Sequence, residues 1–129
     1  MSQRPNVVGL LICRDYIFEE DRRSVTLVRC LDRLSVREFP SSPQSFVIYT
    51  MLTDGLGELS FDLTVTRLET LDEIYSRSWN STFTDPLAKV HLRIRVHSCS
   101  FPTPGRYEVA LDVDEERVAQ CVLQIAVEE

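Results

Sequence analysis

Five cationic or titratable side chains stand two apart late in the chain: Lys89, His91, Arg93, Arg95 and His97. Leu92, Ile94 and Val96 interleave with them, so the stretch reads as a strand with one apolar and one basic face. At roughly 3.3 Å per residue the row spans about 26 Å. Guanidinium forks at that spacing could grip a phosphate backbone, an acidic protein surface or a small anionic ligand. A plainer reading competes with binding. Asp62, Glu108 and Asp112 lie on outward faces of other expected strands and could pair the row, each pair giving at most about 1 kcal/mol.

Other residue types offer less. His97 and Cys99 are two apart, as β-sheet metal sites require, but the chain has only two histidines and no metal is expected. "DVDEE" at 112–116 carries carboxylates, yet reads as a tight hairpin turn too short to wrap a calcium ion. There is no GxSxG elbow, glycine-rich phosphate loop or HExxH, so neither a cofactor nor an enzymatic activity is expected. Of the four cysteines, Cys13, Cys30 and Cys121 sit in apolar runs that imply inert thiols. Cys99, beside His97, is the one candidate for a reactive thiol. No CxxC pair exists, which removes zinc ribbons and thioredoxin-like motifs.

A chain of 129 residues suits one domain, residues 1–129, large enough to fold without a metal or disulfide staple. The net charge of -6 argues against a general nucleic-acid binder, which needs a basic excess to displace counterions. "VVGLLIC" is far too short to span a membrane and makes a poor signal peptide, so a cytoplasmic protein with reduced thiols is expected.

The elements that must position these residues are strands. Residues 59–65, 107–113 and 121–127 alternate apolar with polar side chains, as half-buried strands do. Residues 7–18 are nearly all apolar until Arg14, as in a central strand. Residues 24–36 read as one strand with polar intrusions, and 45–52 as a short dense one. Residues 68–79 fit a helix almost as well as a strand, with a strand after an irregular turn favoured. "EEDRRS", "FPSSP", "TDGLGE", "TDP", "FPTPG" and "DVDEER" punctuate the runs at sandwich intervals. The fold expected is all-β, an immunoglobulin-like antiparallel β-sandwich of seven to eight strands. Pro102, Pro104 and Gly105 form a turn into Tyr107, whose hydroxyl could bond back to upstream backbone as in a tyrosine corner.

Four stretches carry a resemblance: "LLICRDYIF", "SVTLVRCLDRLSVREFP", "SFVIYTML" and "FPTPGRYEVALDVD". They are similar to a family of small uncharacterised bacterial β-sandwich proteins. The matching positions are Cys13, Leu31-Asp32-Arg33-Leu34, Phe39-Pro40, and Phe101-Pro102 with Gly105 and Tyr107, across about residues 8–127. Arg29 departs from the pattern, standing where the family carries a glycine, and the departure bears on backbone geometry there. The resemblance implies an immunoglobulin-like, cytoplasmic sandwich and no transferable activity.

The function expected is a non-enzymatic interaction module. It would bind a protein partner, or itself, through an open strand edge or through Lys89, His91, Arg93, Arg95 and His97. The alternative is a small anionic-ligand-binding domain using the same row.

Overall fold

The alternating segments become nine strands in the computed structural model, which describes residues 2–21 and 23–128. They are β1 (Asn6–Glu19), β2 (Ser24–Cys30), β3 (Arg33–Val36), β4 (Gln44–Thr53), β5 (Gly57–Arg67), β6 (Glu73–Phe83), β7 (Val90–Cys99), β8 (Gly105–Val113) and β9 (Glu116–Val127). One sheet has the order β2-β1-β4-β7 and the other β3-β9-β8-β5-β6. The all-β expectation stands; its count and its uniform antiparallel pairing need correcting. The stretch 24–36 is two strands, broken at Leu31 and Asp32, where the chain leaves one sheet for the other. The second piece, β3, pairs in parallel with β9, Leu34 opposite Ile125 and Val36 opposite Val127. One apolar run serving two sheets explains why both its faces carry hydrophobic residues.

The ambiguous stretch resolves through backbone bonding. The N–H of Leu71 donates to the Arg67 carbonyl at 2.7 Å, Leu71 adopts φ 65°, and β6 then pairs with β5 along its length. A left-handed residue ends any helical path there. The chain reverses between β8 and β9 on Asp114 (φ 49°) and Glu115 (φ 68°), the double positive φ of a two-residue hairpin turn. Asp114 also accepts hydrogen bonds from the N–H and hydroxyl of Ser60, at 3.0 and 3.1 Å. Its carboxylate serves the turn.

Leu10, Ile12, Phe46, Ile48 and Val96 from the first sheet meet Leu34, Phe61, Leu63, Val109, Leu111 and Leu123 from the second in one buried cluster. The two Phe-Pro turns close one end of it. Ser41, just after the cis Phe39-Pro40 bond, donates its N–H to the Phe101 carbonyl at 2.9 Å, while its hydroxyl accepts the Phe101 N–H at 2.8 Å. Phe101 is fully buried and edge-on to Tyr107, ring centroids 5.0 Å apart. The Tyr107 hydroxyl donates to the Thr103 carbonyl at 2.7 Å, so the ring packs in the core while its polar tip is satisfied. Gly105 opens β8 at φ 140°, beyond what a side chain adopts readily, and Pro102 stands exposed outside the strands.

Candidate functional site

Three of the five basic residues share the outer face of β7, but the row is not continuous. Lys89 precedes β7, in the turn after β6. His91, Arg93 and Arg95 alternate with Leu92, Ile94 and Val96, which face the core. His97 is exposed at an irregularity: Phe46 pairs with Val96 but Gln44 with Cys99, so β7 carries an extra residue there. That bulge turns Cys99 into the core, with the Cys99 thiol pushed up to about 11 by burial. The possible metal pair His97 and Cys99 is therefore split. Cys99 is not the reactive thiol its position beside histidine suggested. Among the described residues no group of three His, Cys, Asp or Glu could hold a metal ion.

What opposes the row also differs from expectation. Asp62 and Asp112 face each other across β5 and β8 in the other sheet, and Arg117 binds Asp112 at 2.7 Å and Glu108 at 3.0 Å. The partners of the row come instead from the β1–β2 hairpin. Across the first sheet Leu11 lies level with Tyr49, and Tyr49 with Arg93. Phe18 is seven residues further along β1, about 23 Å in a straight strand. Yet the Arg93 guanidinium lies 4.2 Å from the Phe18 ring centre. Strand β1 must bend back over its own sheet, and the contacts occur in reversed order. Asp15 meets Arg95 at 2.6 Å, the Tyr16 ring lies 5.6 Å from Arg95 and 5.3 Å from Arg93, and Phe18 lies over Arg93.

The sequence supplies the means for this bend. Gly9, at φ 64°, coincides with a register shift between β1 and β4, and the Thr50 hydroxyl donates to the Gly9 carbonyl. Arg29, on the partner strand, adopts φ 56°. This left-handed conformation is the one that glycine, the residue expected at this position from the resemblance, adopts at least cost. Under the folded hairpin Cys13 and Val47, level with Arg95, are fully buried although they lie outside the main core.

Between the hairpin tip and the turn into β7 lies an open cleft of about 610 Å³, whose lining includes Phe18, Arg23, Asp85, Lys89, His91 and Arg93. Four of these six side chains are cationic or can become so. The single carboxylate is partly engaged, since Asp85 accepts the Leu87 N–H at 2.9 Å. His91 Nδ1 is linked to the Tyr49 hydroxyl at 2.6 Å, and the two rings stack. Burial raises the Tyr49 pKa, opposed by the Arg93 charge, so the phenol stays protonated. Arg95 is the least available member: its bond to Asp15, followed by the Tyr16 N–H, holds the Asp15 carboxyl below its ordinary range. The cleft offers charge and donors for an anion. It offers no activated nucleophile.

Periodicity found His91, Arg93 and Arg95 on one face, but it could not find Arg23, Phe18 or Asp15, which reach the site only because β1 bends. The aromatic residues of "DYIF" next to the charged turn "EEDRRS" are the local signal for that hairpin.

The chain belongs to a family of unknown function, DUF6941, whose model matches residues 9–126. Part of it is 34% identical over 79 residues to the outer membrane usher protein MrkC of Klebsiella pneumoniae, a match over 57% of this chain and 9% of the usher. In three dimensions it is similar to the Pseudomonas fluorescens alkylpurine DNA glycosylase AlkC, solved bound to DNA containing an abasic site analog. The TM-score is 0.61 at 11% identity, over 96% of this chain and 31% of the glycosylase. The chain thus spans under a third of that glycosylase and a small part of the usher. At such identity the structural likeness speaks for the fold alone. No helix among the described residues is long and apolar enough to cross a membrane.

Proposed function

We propose that this protein is a non-enzymatic interaction module, a cytoplasmic immunoglobulin-like sandwich that takes an acidic segment of a protein partner into the cleft beside β7. The observation that carries this reading is the convergence of Arg23, Lys89, His91 and Arg93 on one open cleft in a chain of net charge -6. Gathering like charges without a ligand is unfavourable, so such a concavity selects for an anion. Strand β7 is also a sheet edge, and an extended acidic segment beside it could add backbone hydrogen bonds to its charge contacts. The immunoglobulin-like assignment draws support from Tyr107, whose hydroxyl returns to the Thr103 carbonyl as tyrosine corners do. A DNA ligand is disfavoured by the acidic balance of the whole chain.

A glutamate-rich peptide titrated into labelled protein tests the proposal. The amides around Arg23, Lys89, His91 and Arg93 should shift, the shifts should fade as salt rises, and Arg23→Glu with Lys89→Glu should abolish them. Shifts scattered over the surface, or unchanged in the folded double variant, would overturn it. A second reading, a small anionic ligand, is favoured by the cleft volume, which lies in the range of small-molecule sites. It predicts the same local shifts with inorganic phosphate or pyrophosphate alone.

A further inference from the structure

Cys13 and Cys30 are directly opposed on β1 and β2. The next residues outward carry the ladder bond, the Leu31 N–H donating to the Ile12 carbonyl at 2.7 Å. The cysteines therefore occupy a non-hydrogen-bonded position, where Cα atoms approach to about 4.5 Å and both side chains point to the same face. Disulfides span Cα separations of about 4.4–6.8 Å, so the bridge needs no strand rearrangement. We propose that Cys13 and Cys30 are an oxidisable pair that closes into a cross-strand disulfide, stapling the base of the β1–β2 hairpin.

The environments of the two thiols set the order of events. Cys30 is exposed and Cys13 buried, so a peroxide meets Cys30 first. The Cys30 sulfur takes one peroxide oxygen as its O–O bond breaks, giving a sulfenic acid and water. The Cys13 thiolate then attacks that sulfur, the S–S bond forms, and hydroxide leaves to be protonated to a second water. Two thiols are oxidised by two electrons while one peroxide is reduced to two waters. Burial raises the Cys13 pKa, and the nearby Cys30 raises it further, so closure quickens as the pH rises. Neither remaining cysteine is a cross-strand neighbour of Cys30: Cys99 is buried on β7 opposite Gln44, and Cys121 lies on β9 of the other sheet opposite Val109. Burial pushes both Cys99 and Cys121 up to about 11.

This pairing also changes how the sequence reads. Cys30 lies in an apolar run, yet its thiol is exposed, because β2 is an edge strand whose outer face nothing covers at that point. The bridge would enclose residues 14–29, the whole fold-back. Asp15, the first residue beyond Cys13, is the one that pairs with Arg95. Oxidation thus fixes the roof of the cationic cleft, and this consequence, unlike the bridge itself, rests on the cleft being a binding site.

The test treats the full chain with hydrogen peroxide, blocks residual thiols by alkylation and maps peptides without reduction. The expected product links the peptides holding Cys13 and Cys30, has lost two hydrogens, reverts with dithiothreitol, and melts about 5 °C or more above the reduced protein. Cys30→Ser, at an exposed position, should abolish the product while Cys121→Ser keeps it. A link from Cys30 to Cys121, or Cys30 over-oxidised beside a free Cys13, would overturn the proposal. The glutamate-rich peptide then separates the two readings. A formed bridge with no peptide binding in either redox state leaves the pair standing and removes the cleft.

Discussion

Arg29 adopts a backbone conformation that suits glycine, yet it is exposed and makes no contact that requires its guanidinium among the described residues. The left-handed region costs an ordinary residue about 1–2 kcal/mol, and glycine returns about 0.5–1 kcal/mol of this as chain entropy on unfolding. Arg29→Gly should therefore stabilise the protein by about 0.5–1 kcal/mol, read as a higher denaturation midpoint at unchanged slope. Tyr107 works the other way. Its ring fills the core while its hydroxyl donates to the Thr103 carbonyl and meets the Thr103 N–H and hydroxyl at longer range, so Tyr107→Phe keeps the packing and loses one short bond and two long ones. A cost of about 1 kcal/mol is expected from urea melts. A cost near zero would mean that the turn finds water as readily. Cys99 and Cys121 contribute to alkaline sensitivity: burial pushes the pKa of each up to about 11 from 9.0. A raised thiol pKa favours the protonated folded form. The stability it contributes is full below pH 9 and is lost as the pH climbs from 9 through 11.

The β1–β2 hairpin is where local pattern and tertiary structure part company. Alternation made β5, β7, β8 and β9 legible, density of apolar residues marked β1 and β4, and the charged stretch at 112–116 was readable as a hairpin turn. Three features were not. The fold-back of β1 depends on long-range closure of aromatic rings on Arg93, and the crossing at Leu31 and Asp32 depends on which sheet has room for Leu34. The bulge that buries Cys99 depends on pairing with β4. None of these leaves a period in the sequence, since each is decided by a partner far along the chain. The hairpin also carries its own pH test. The folded pKa of Asp15 is depressed by Arg95, so the pair contributes above the unfolded carboxylate pKa and is lost as the pH falls through the lower folded value. Both side chains are substantially exposed, which keeps the effect local. Protection factors for amide exchange in the β1–β2 hairpin, taken relative to the intrinsic rate at each pH, should fall below about pH 4, and Asp15→Asn should show the lower protection already at neutral pH.

Two sheets with ends that do not close leave four edge strands, β2 and β7 in one, β3 and β6 in the other. The chain passes between the sheets five times, and two of these passages, from β2 to β3 and from β6 to β7, form seams that join one edge strand to another. At the second seam a side chain supplements the covalent connection: Arg77 of β6 donates to the Arg95 carbonyl of β7 at 3.3 Å, with its guanidinium 6.0 Å from the Trp79 ring centre. A cation bonded to an edge carbonyl blocks that edge in two ways, by occupying an acceptor and by repelling a second copy that brings the same charge. Since residues of one strand alternate which edge they bond to, the outward Arg95 carbonyl places the backbone groups of His91 and Arg93 on the open side as well. Those are the groups an added strand would need. Arg77→Ala should therefore uncover a longer stretch of β7 with little loss of folding stability, because the bond is exposed. Sedimentation at increasing concentration should show weak self-association of this variant where the wild type stays monomeric, and an excess of the glutamate-rich peptide should reverse it by taking the same strand edge. Association that the peptide leaves untouched would assign the new contact to another edge and separate the cleft from the strand beside it.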